Sequence, residues 1–219
     1  MPRLPPVDEF LPKTSRTRPR SMSEWKRLNR EIDRCRRCAL GSLRQHVVIH
    51  RGSLRPRVLF VGEAPGAQED RVGIPFVGAA GKRLDRLVTQ LGLLESEFAV
   101  INVFKCRPPG NQFNLEAARA CRPFLARQIE FLQPIMIVPL GVNALAAFRP
   151  DLLPISHAAG WLSRWRGLLF FPMIHPSAAA RSRTLRRRWE HDGKSLAKVL
   201  SRLGAGGPPT PARSPATTV

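Results

Sequence analysis

Glu63, Glu69, Asp70 and Phe76 fall within one stretch, Arg57-Val-Leu-Phe-Val-Gly-Glu-Ala-Pro-Gly-Ala-Gln-Glu-Asp-Arg-Val-Gly-Ile-Pro-Phe-Val-Gly-Ala-Ala-Gly81. Carboxylates can hold a proton, orient water or accept backbone donors, and a phenyl ring can stack on a flat ligand. Gly62, Pro65, Gly66, Gly73, Pro75, Gly78 and Gly81 break the stretch repeatedly. The spacing is neither that of a Walker loop nor that of a Rossmann turn. On glycine content alone it reads equally well as a plain strand-to-helix turn. The cysteines form a second set: Cys35-Arg-Arg-Cys38, Cys106 and Cys121, with no fifth. A Cys-x-x-Cys pair brings two thiolates to one centre from a tight turn, and four thiolates hold zinc or an iron–sulfur cluster. Spacing alone leans towards zinc, in a structural role, because four protein ligands leave no open position. Asn102, at the end of an apolar run, and His175-Pro-Ser177, after another, complete the polar candidates.

These residues need elements to hold them. Val58 to Val61 is short, apolar and bounded by Gly62, which predicts a buried strand with the Gly- and Pro-rich loop at its carboxyl end. In open α/β sheets the ligand crevice lies there. Ser23 to Ile32 opens on a capping residue and repeats Trp25, Leu28 and Ile32 at helical spacing. Val47 to Ile49 is a further strand candidate. Leu84, Leu87, Val88 and Leu91 mark one face of a helix over 81–94. Phe98 to Phe104 predicts a strand, Leu115 to Leu132 a helix, Pro134 to Leu140 a strand and Gly141 to Phe148 a short helix. Trp165 to Ile174 predicts one or two strands, and Arg181 to Leu203 a basic helix. Strands alternate with helices, so the predicted class is α/β: a three-layer αβα fold with a central, mostly parallel sheet flanked by helices. The expected organisation is a basic arm over 1–22, one domain over 23–203 and a Pro- and Ala-rich tail over 204–219, with both ends disordered.

Composition narrows the class of partner. The formal net charge is +20, from 36 Lys and Arg against 16 Asp and Glu. A chain this basic points to a polyanion, nucleic acid before an anionic membrane surface. No apolar run approaches the roughly 20 residues of a membrane-spanning helix, and the N-terminal stretch lacks the apolar core of a secretory signal. The expectation is a chain inside the cell, with reduced thiols that favour a metal or cluster over disulfides.

Taken in order, the motifs resemble the family 4 uracil-DNA glycosylases. Gly62-Glu-Ala-Pro-Gly66 with Gly73-Ile-Pro-Phe-Val-Gly78 is similar to that family's first block, and Asn102-Val-Phe-Lys-Cys-Arg-Pro-Pro-Gly-Asn111 to its second. Pro139-Leu-Gly141 and His175-Pro-Ser177 resemble its later landmarks, and the match runs collinearly from about Ser23 to Leu203. The resemblance implies a [4Fe–4S] cluster on Cys35, Cys38, Cys106 and Cys121, which replaces the lean towards zinc. It implies that Phe76 stacks on a flipped uracil, that Asn102 reads its edge, and that His175 acts at the glycosidic bond. It places Glu63 and Ala64 at the pocket floor, and makes Glu69, Asn111 and Ser177 polar members of the site. Ala64 stands where some members have Gly, and Ala178 to Ala180 where many carry bulkier residues that enter the duplex.

The implied activity is excision of uracil from single- or double-stranded DNA by a monomer, at the start of base excision repair. It belongs to a prokaryotic-type cytoplasmic protein associated with the nucleoid, with no membrane partner. Two other readings share these motifs: a broader glycosylase for hypoxanthine or xanthine, and a non-catalytic iron–sulfur DNA-binding module. On all three, the charge has one measurable result. Affinity for DNA without uracil should fall with salt, with a log–log slope of about 0.9 per phosphate neutralised. Deleting residues 1–22 should flatten that slope in a filter-binding or anisotropy titration and leave single-turnover cleavage unchanged. A large loss in the cleavage step would place the arm in the active site.

Overall fold

The computed structural model describes residues 21–204; the expected basic arm and Pro/Ala tail lie almost wholly outside the described residues. Helix α1 (Met22–Asp33) starts one residue earlier than the sequence suggests, because Ser21 and not Ser23 is its cap: the Ser21 hydroxyl accepts from Ser23 N. Its Trp25, Leu28 and Ile32 are the buried face. After a short α2 (Leu40–Leu43) the chain makes only a two-residue strand, β1 (Arg51–Gly52). Val47–Ile49 is not a strand. Val48 N–H donates to Lys105 O at 2.8 Å, and no ladder develops around it.

β2 (Val58–Gly62) is buried at every position. The expected long loop after it contains a helix, α3 (Ala67–Val72), whose single turn and a half is too short to show apolar periodicity. α4 (Ala79–Gln90) then leads to β3 (Phe98–Asn102), which ends two residues before the predicted Phe104. α5 (Leu115–Leu132) matches its predicted span, capped by Asn114, whose Oδ1 accepts from Ala117 N at 2.8 Å. β4 (Met136–Pro139) and α6 (Val142–Phe148) follow, then α7 (Ile155–Ala158). β5 (Ser163–Trp165) and β6 (Leu168–Phe170) form a hairpin whose two turn residues, Arg166 and Gly167, both have positive φ. That is the turn whose twist suits a two-residue hairpin. The predicted final helix is α9 (Arg183–Gly204), and a short α8 (Pro176–Arg181) that the sequence reading did not include precedes it across the extended Ser182.

The sheet order is β1-β3-β2-β4-β6-β5. β3, β2, β4 and β6 are parallel, and the two edge strands are antiparallel to their neighbours. Alternate residues feed two cores, as strict alternation of side chains requires. Leu59, Val61, Ala99, Ile101 and Ile137 meet α1, α5 and α6 on one face. Val58, Phe60, Val100, Met136 and Val138 meet α4, α8 and α9 on the other. The fold is α/β with helices on both faces, as the alternation of elements predicts. The connection from β2 runs over one face to β3, and that from β3 over the other face to β4. β2 therefore lies where the winding reverses, and a crevice opens at its carboxyl end.

Candidate active site and cysteine cavity

Gly62 closes β2, Asn102 closes β3 beside it, and the two are register partners. A Cβ built on Gly62 would stand 2.5 Å from Asn102 Oδ1 and 2.5 Å from Phe76 Cε2. The amide and the ring thus converge over a backbone that has no room for a side chain. Asn102 is 1% exposed, and neither its Oδ1 nor its Nδ2 has a hydrogen-bond partner among the described residues. Burying such a group unpaired costs about 1–3 kcal/mol for each orphaned atom. An amide left so in a native structure calls for a partner from outside the chain, an ordered water or a ligand.

Phe76 adopts φ 57°, a left-handed backbone that a bulky residue rarely takes. Three features force it there. Arg51 Nη1 donates to Phe76 O at 2.8 Å. A Cβ on Gly81 would overlap that carbonyl, so only glycine lets the first turn of α4 pass beneath it. Glu69, 8% exposed, accepts from Val77 N at 2.9 Å, Gly78 N at 2.8 Å and Gly66 N at 3.0 Å. Its carboxylate is saturated by backbone donors on both sides of Phe76.

His175 approaches from the next strands. Its ring lies 6.0 Å from the Phe76 ring, centroid to centroid. Gly141, with φ 92°, makes this possible, since a Cβ there would press on His175 Cβ at 2.9 Å. Ser177 N–H donates to His175 Nδ1 at 3.2 Å, and Ser177 Oγ lies 2.7 Å from the same nitrogen. Nδ1 is therefore an acceptor, and Nε2 carries the ring proton. Burial, with Arg181 adding to it, pulls this imidazole down to about 4 against a weaker opposing pull from Glu69. At neutral pH His175 is an uncharged N–H donor.

The other predicted site residues are spread more widely. Glu63 is half-buried, hydrogen-bonded to Asn143 at the start of α6, and burial raises its pKa above the ordinary carboxylate value. Ala64 packs against the sheet face opposite to that of Phe76. Asn111 is exposed in a 3-10 turn, where its Oδ1 accepts from Arg107 Nε at 3.2 Å.

Cys35, Cys38, Cys106 and Cys121 line one small cavity with Arg44, Lys105 and Phe124. Among the described residues no three His, Cys, Asp or Glu side chains are close enough to hold one metal ion. Burial pushes the Cys121 thiol up to about 11 and raises Cys106, which Arg44 Nη1 partly offsets by donating to Cys106 Sγ at 3.2 Å. Lys105 is the residue that sequence reading passes over. It is 1% exposed, and its ammonium donates to the carbonyl of Asn102 while lining the cysteine cavity. Burial lowers it to about 8, opposed by the neighbouring thiols Cys121 and Cys106.

The family model described as Uracil DNA glycosylase superfamily matches residues 49–200. The chain is 39% identical over 160 residues to the Type-4 uracil-DNA glycosylase of Thermotoga maritima, covering 72% of this chain and 83% of that protein. The chain belongs to the type-4 branch of the uracil DNA glycosylase superfamily. Type-4 uracil-DNA glycosylases of Sulfurisphaera tokodaii and Archaeoglobus fulgidus are each 35% identical, over 81% and 79% of this chain and 86% and 92% of their own. Membership in this superfamily accounts for the α/β sheet and for the order of the blocks that carry Phe76, Asn102 and His175. Among the described residues no helix is long and apolar enough to cross a membrane.

Two outcomes follow from this geometry. Gly62→Ala should leave the folded signal by circular dichroism intact and abolish binding of a uracil ligand, because the new methyl displaces the amide or the ring. The second concerns pH. An unfolded histidine takes up its proton near 6.5 and the folded His175 only near 4. As pH falls through that window the unfolded state binds the extra proton, so the native state loses stability there and not above it. A single-turnover rate carried by neutral His175 should stay flat from pH 8 to about 5. A break near 6.5 that vanishes in His175→Gln would contradict the neutral assignment.

Proposed function

We propose that the protein is a monofunctional uracil-DNA glycosylase that works as a monomer on single- or double-stranded DNA. The observation that carries this is the buried, unpartnered amide of Asn102 beside the Phe76 ring. An amide offers one acceptor and one donor, the complement of the N3–H and O4 of uracil. The ring offers a stacking face worth roughly 1–3 kcal/mol. A base inside a duplex cannot reach this pair, so it must be flipped out, at a cost of a few kcal/mol that is least at a mismatch. Phosphate contacts from the basic surface offset it.

Breaking the N-glycosidic bond leaves negative charge on the departing uracil and positive charge on the sugar. The Nε2–H of neutral His175 is the donor for uracil O2, where that charge collects. A neutral imidazole already carries this proton with its lone-pair nitrogen held by Ser177, so no reorganisation accompanies bond breaking. Glu69 acts at a distance. Its carboxylate holds the Phe76 backbone and adds negative potential near the developing sugar cation. With its oxygens taken by backbone N–H groups, Glu69 is a positioning residue in this reading. Water is oriented by Glu63, the carboxylate held at the mouth of α6 by Asn143. Lys105 is turned to the Asn102 carbonyl and the cysteine cavity, so this amine is not placed for a lyase step.

The cysteine cavity fits a [4Fe–4S] cluster. The donor set is four thiols, the soft ligands such a cluster takes. A single zinc ion would need all four sulfurs about 2.3 Å from one point, and among the described residues no three such side chains stand close enough to hold one ion. When bound, the cluster supplies a covalent tie between the end of α1 and the loop after β3. Iron and sulfide in anaerobically purified protein, with absorbance near ~400 nm, are the expected result. Zinc alone in such a sample would refute the cluster.

An excision assay on oligonucleotides carrying uracil, hypoxanthine or xanthine decides the function. Uracil should be released and an abasic site left uncut. Release of the purines as well would point to the broader glycosylase, and release of nothing to a binding module. His175→Ala should slow single-turnover excision by about 10²–10³ with little change in affinity. Phe76→Ala should weaken uracil-dependent binding as well, since stacking already exists in the flipped ground state. Asn102→Asp should lose both, because a carboxylate cannot donate to O4.

A further inference from the structure

Trp161 is 71% exposed, while Trp25, Trp165 and Trp189, the chain's other tryptophans, are buried. Leu162 beside it is 46% exposed. The loop that presents them is not loose. Gly160, at φ 80°, donates its N–H to Pro172 O at 2.9 Å, and Trp161 N–H donates to Ala158 O at 3.2 Å. Arg188 donates to the carbonyl of Ala159 and, through Nε, to Asp192 Oδ1 at 2.8 Å. The Asp192 side chain is fully buried, and a Cβ on Gly160 would run into its Oδ1. An ion pair on α9 between half-exposed Arg188 and buried Asp192 thus pins the loop from beneath and leaves the indole facing solvent.

The position of the loop gives it a partner. Ser163 pairs with Phe170, so Trp161 stands at the carboxyl end of the sheet, the same end as Gly62, Asn102 and His175. Pro172, to which Gly160 is bonded, lies in the segment that carries His175. β5 is the third strand from β2, which at the usual strand spacing is roughly 14 Å, the span of a few nucleotides. The surroundings are cationic. Arg183, Arg186 and Arg187, all exposed, lie in the first turns of α9 whose Arg188 holds the loop. An exposed ring on a pinned loop that is held by the arginine-rich start of α9 is the combination that binds unpaired nucleic-acid bases.

We propose that Trp161 is a stacking platform for an unpaired base of the DNA strand beside the flipped uracil, separate from the Phe76 pocket. The proposal rests on the glycosylase reading, and its test is readable without it. The full-length protein, purified with any bound metal group, is titrated with short single-stranded and duplex DNA, with and without uracil. Trp161→Ala should weaken single-strand binding by about 5- to 150-fold, the range base–aromatic stacking supplies. Duplex binding, where the bases already stack on each other, should change far less. The single-turnover excision rate at saturating enzyme should stay as in the wild type. Trp161→Phe should restore most of the affinity and abolish the DNA-dependent quenching of tryptophan emission, since the other indoles are buried. Unchanged single-strand affinity, or an equal loss on duplex, would overturn the proposal. So would a wild-type dimer that Trp161→Ala dissociates with DNA binding intact, which would assign the patch to a second copy of the chain. If the wild type releases no uracil, the glycosylase reading fails, and the titration with DNA lacking uracil still decides the stacking.

Discussion

Over Gly62 the amide of Asn102 and the ring of Phe76 leave space for a hydrogen and none for a Cβ. Everything at the carboxyl end of the sheet is arranged around that gap. β2 and β3 pair in register so that Gly62 and Asn102 stand side by side. Glu69, Arg51 and Gly81 hold the Phe76 backbone in a left-handed conformation so that its ring returns over the strand it has left. Such a conformation costs of order 1–3 kcal/mol and persists only where its surroundings over-determine it. Here three independent contacts do so, and the sheet's two cores supply the stability that the site consumes.

Burial is used in three ways around the gap. Glu69 is buried with its carboxylate turned onto three backbone N–H groups. His175 gives up its charge, which makes it a better-defined donor: one proton, on one nitrogen, with the other nitrogen occupied. Lys105 is desolvated as well, with a backbone carbonyl and the thiol side of the molecule as its neighbours. The same low-dielectric environment thus yields a clamp, a neutral hydrogen-bond donor and a link between the cysteine cavity and the Asn102 backbone.

Much of this was legible before any coordinates. Val58 to Val61, Leu115 to Leu132 and the class of fold are written in apolar run lengths and periodicity. Glycine and proline announced the loop after β2. What they could not announce was the conformation of Phe76, because a left-handed phenylalanine looks like any other in a sequence. α3 escaped because six residues are too few to show a period. Val47 to Ile49 looked like a strand for its β-branched residues, yet only one of its N–H groups finds Lys105 O and the ladder never forms. Asn111 sits in a motif but turns outward to Arg107. Lys105 and Arg188 were hidden for another reason: in a chain with 36 Lys and Arg, nothing local marks the few that are drawn inward.

The left-handed Phe76 also limits how this pocket can change over generations. A different aromatic at position 76 must accept the same backbone. Relaxing that backbone would require Gly81, Glu69 and Arg51 to change together, and enlarging the floor would require Gly62 to change against its own neighbours. No single substitution opens an uphill-free route through those residues. Glu63, Ala64 and Asn143 are half-buried and lie outside this set of mutual constraints, so substitutions there meet less resistance.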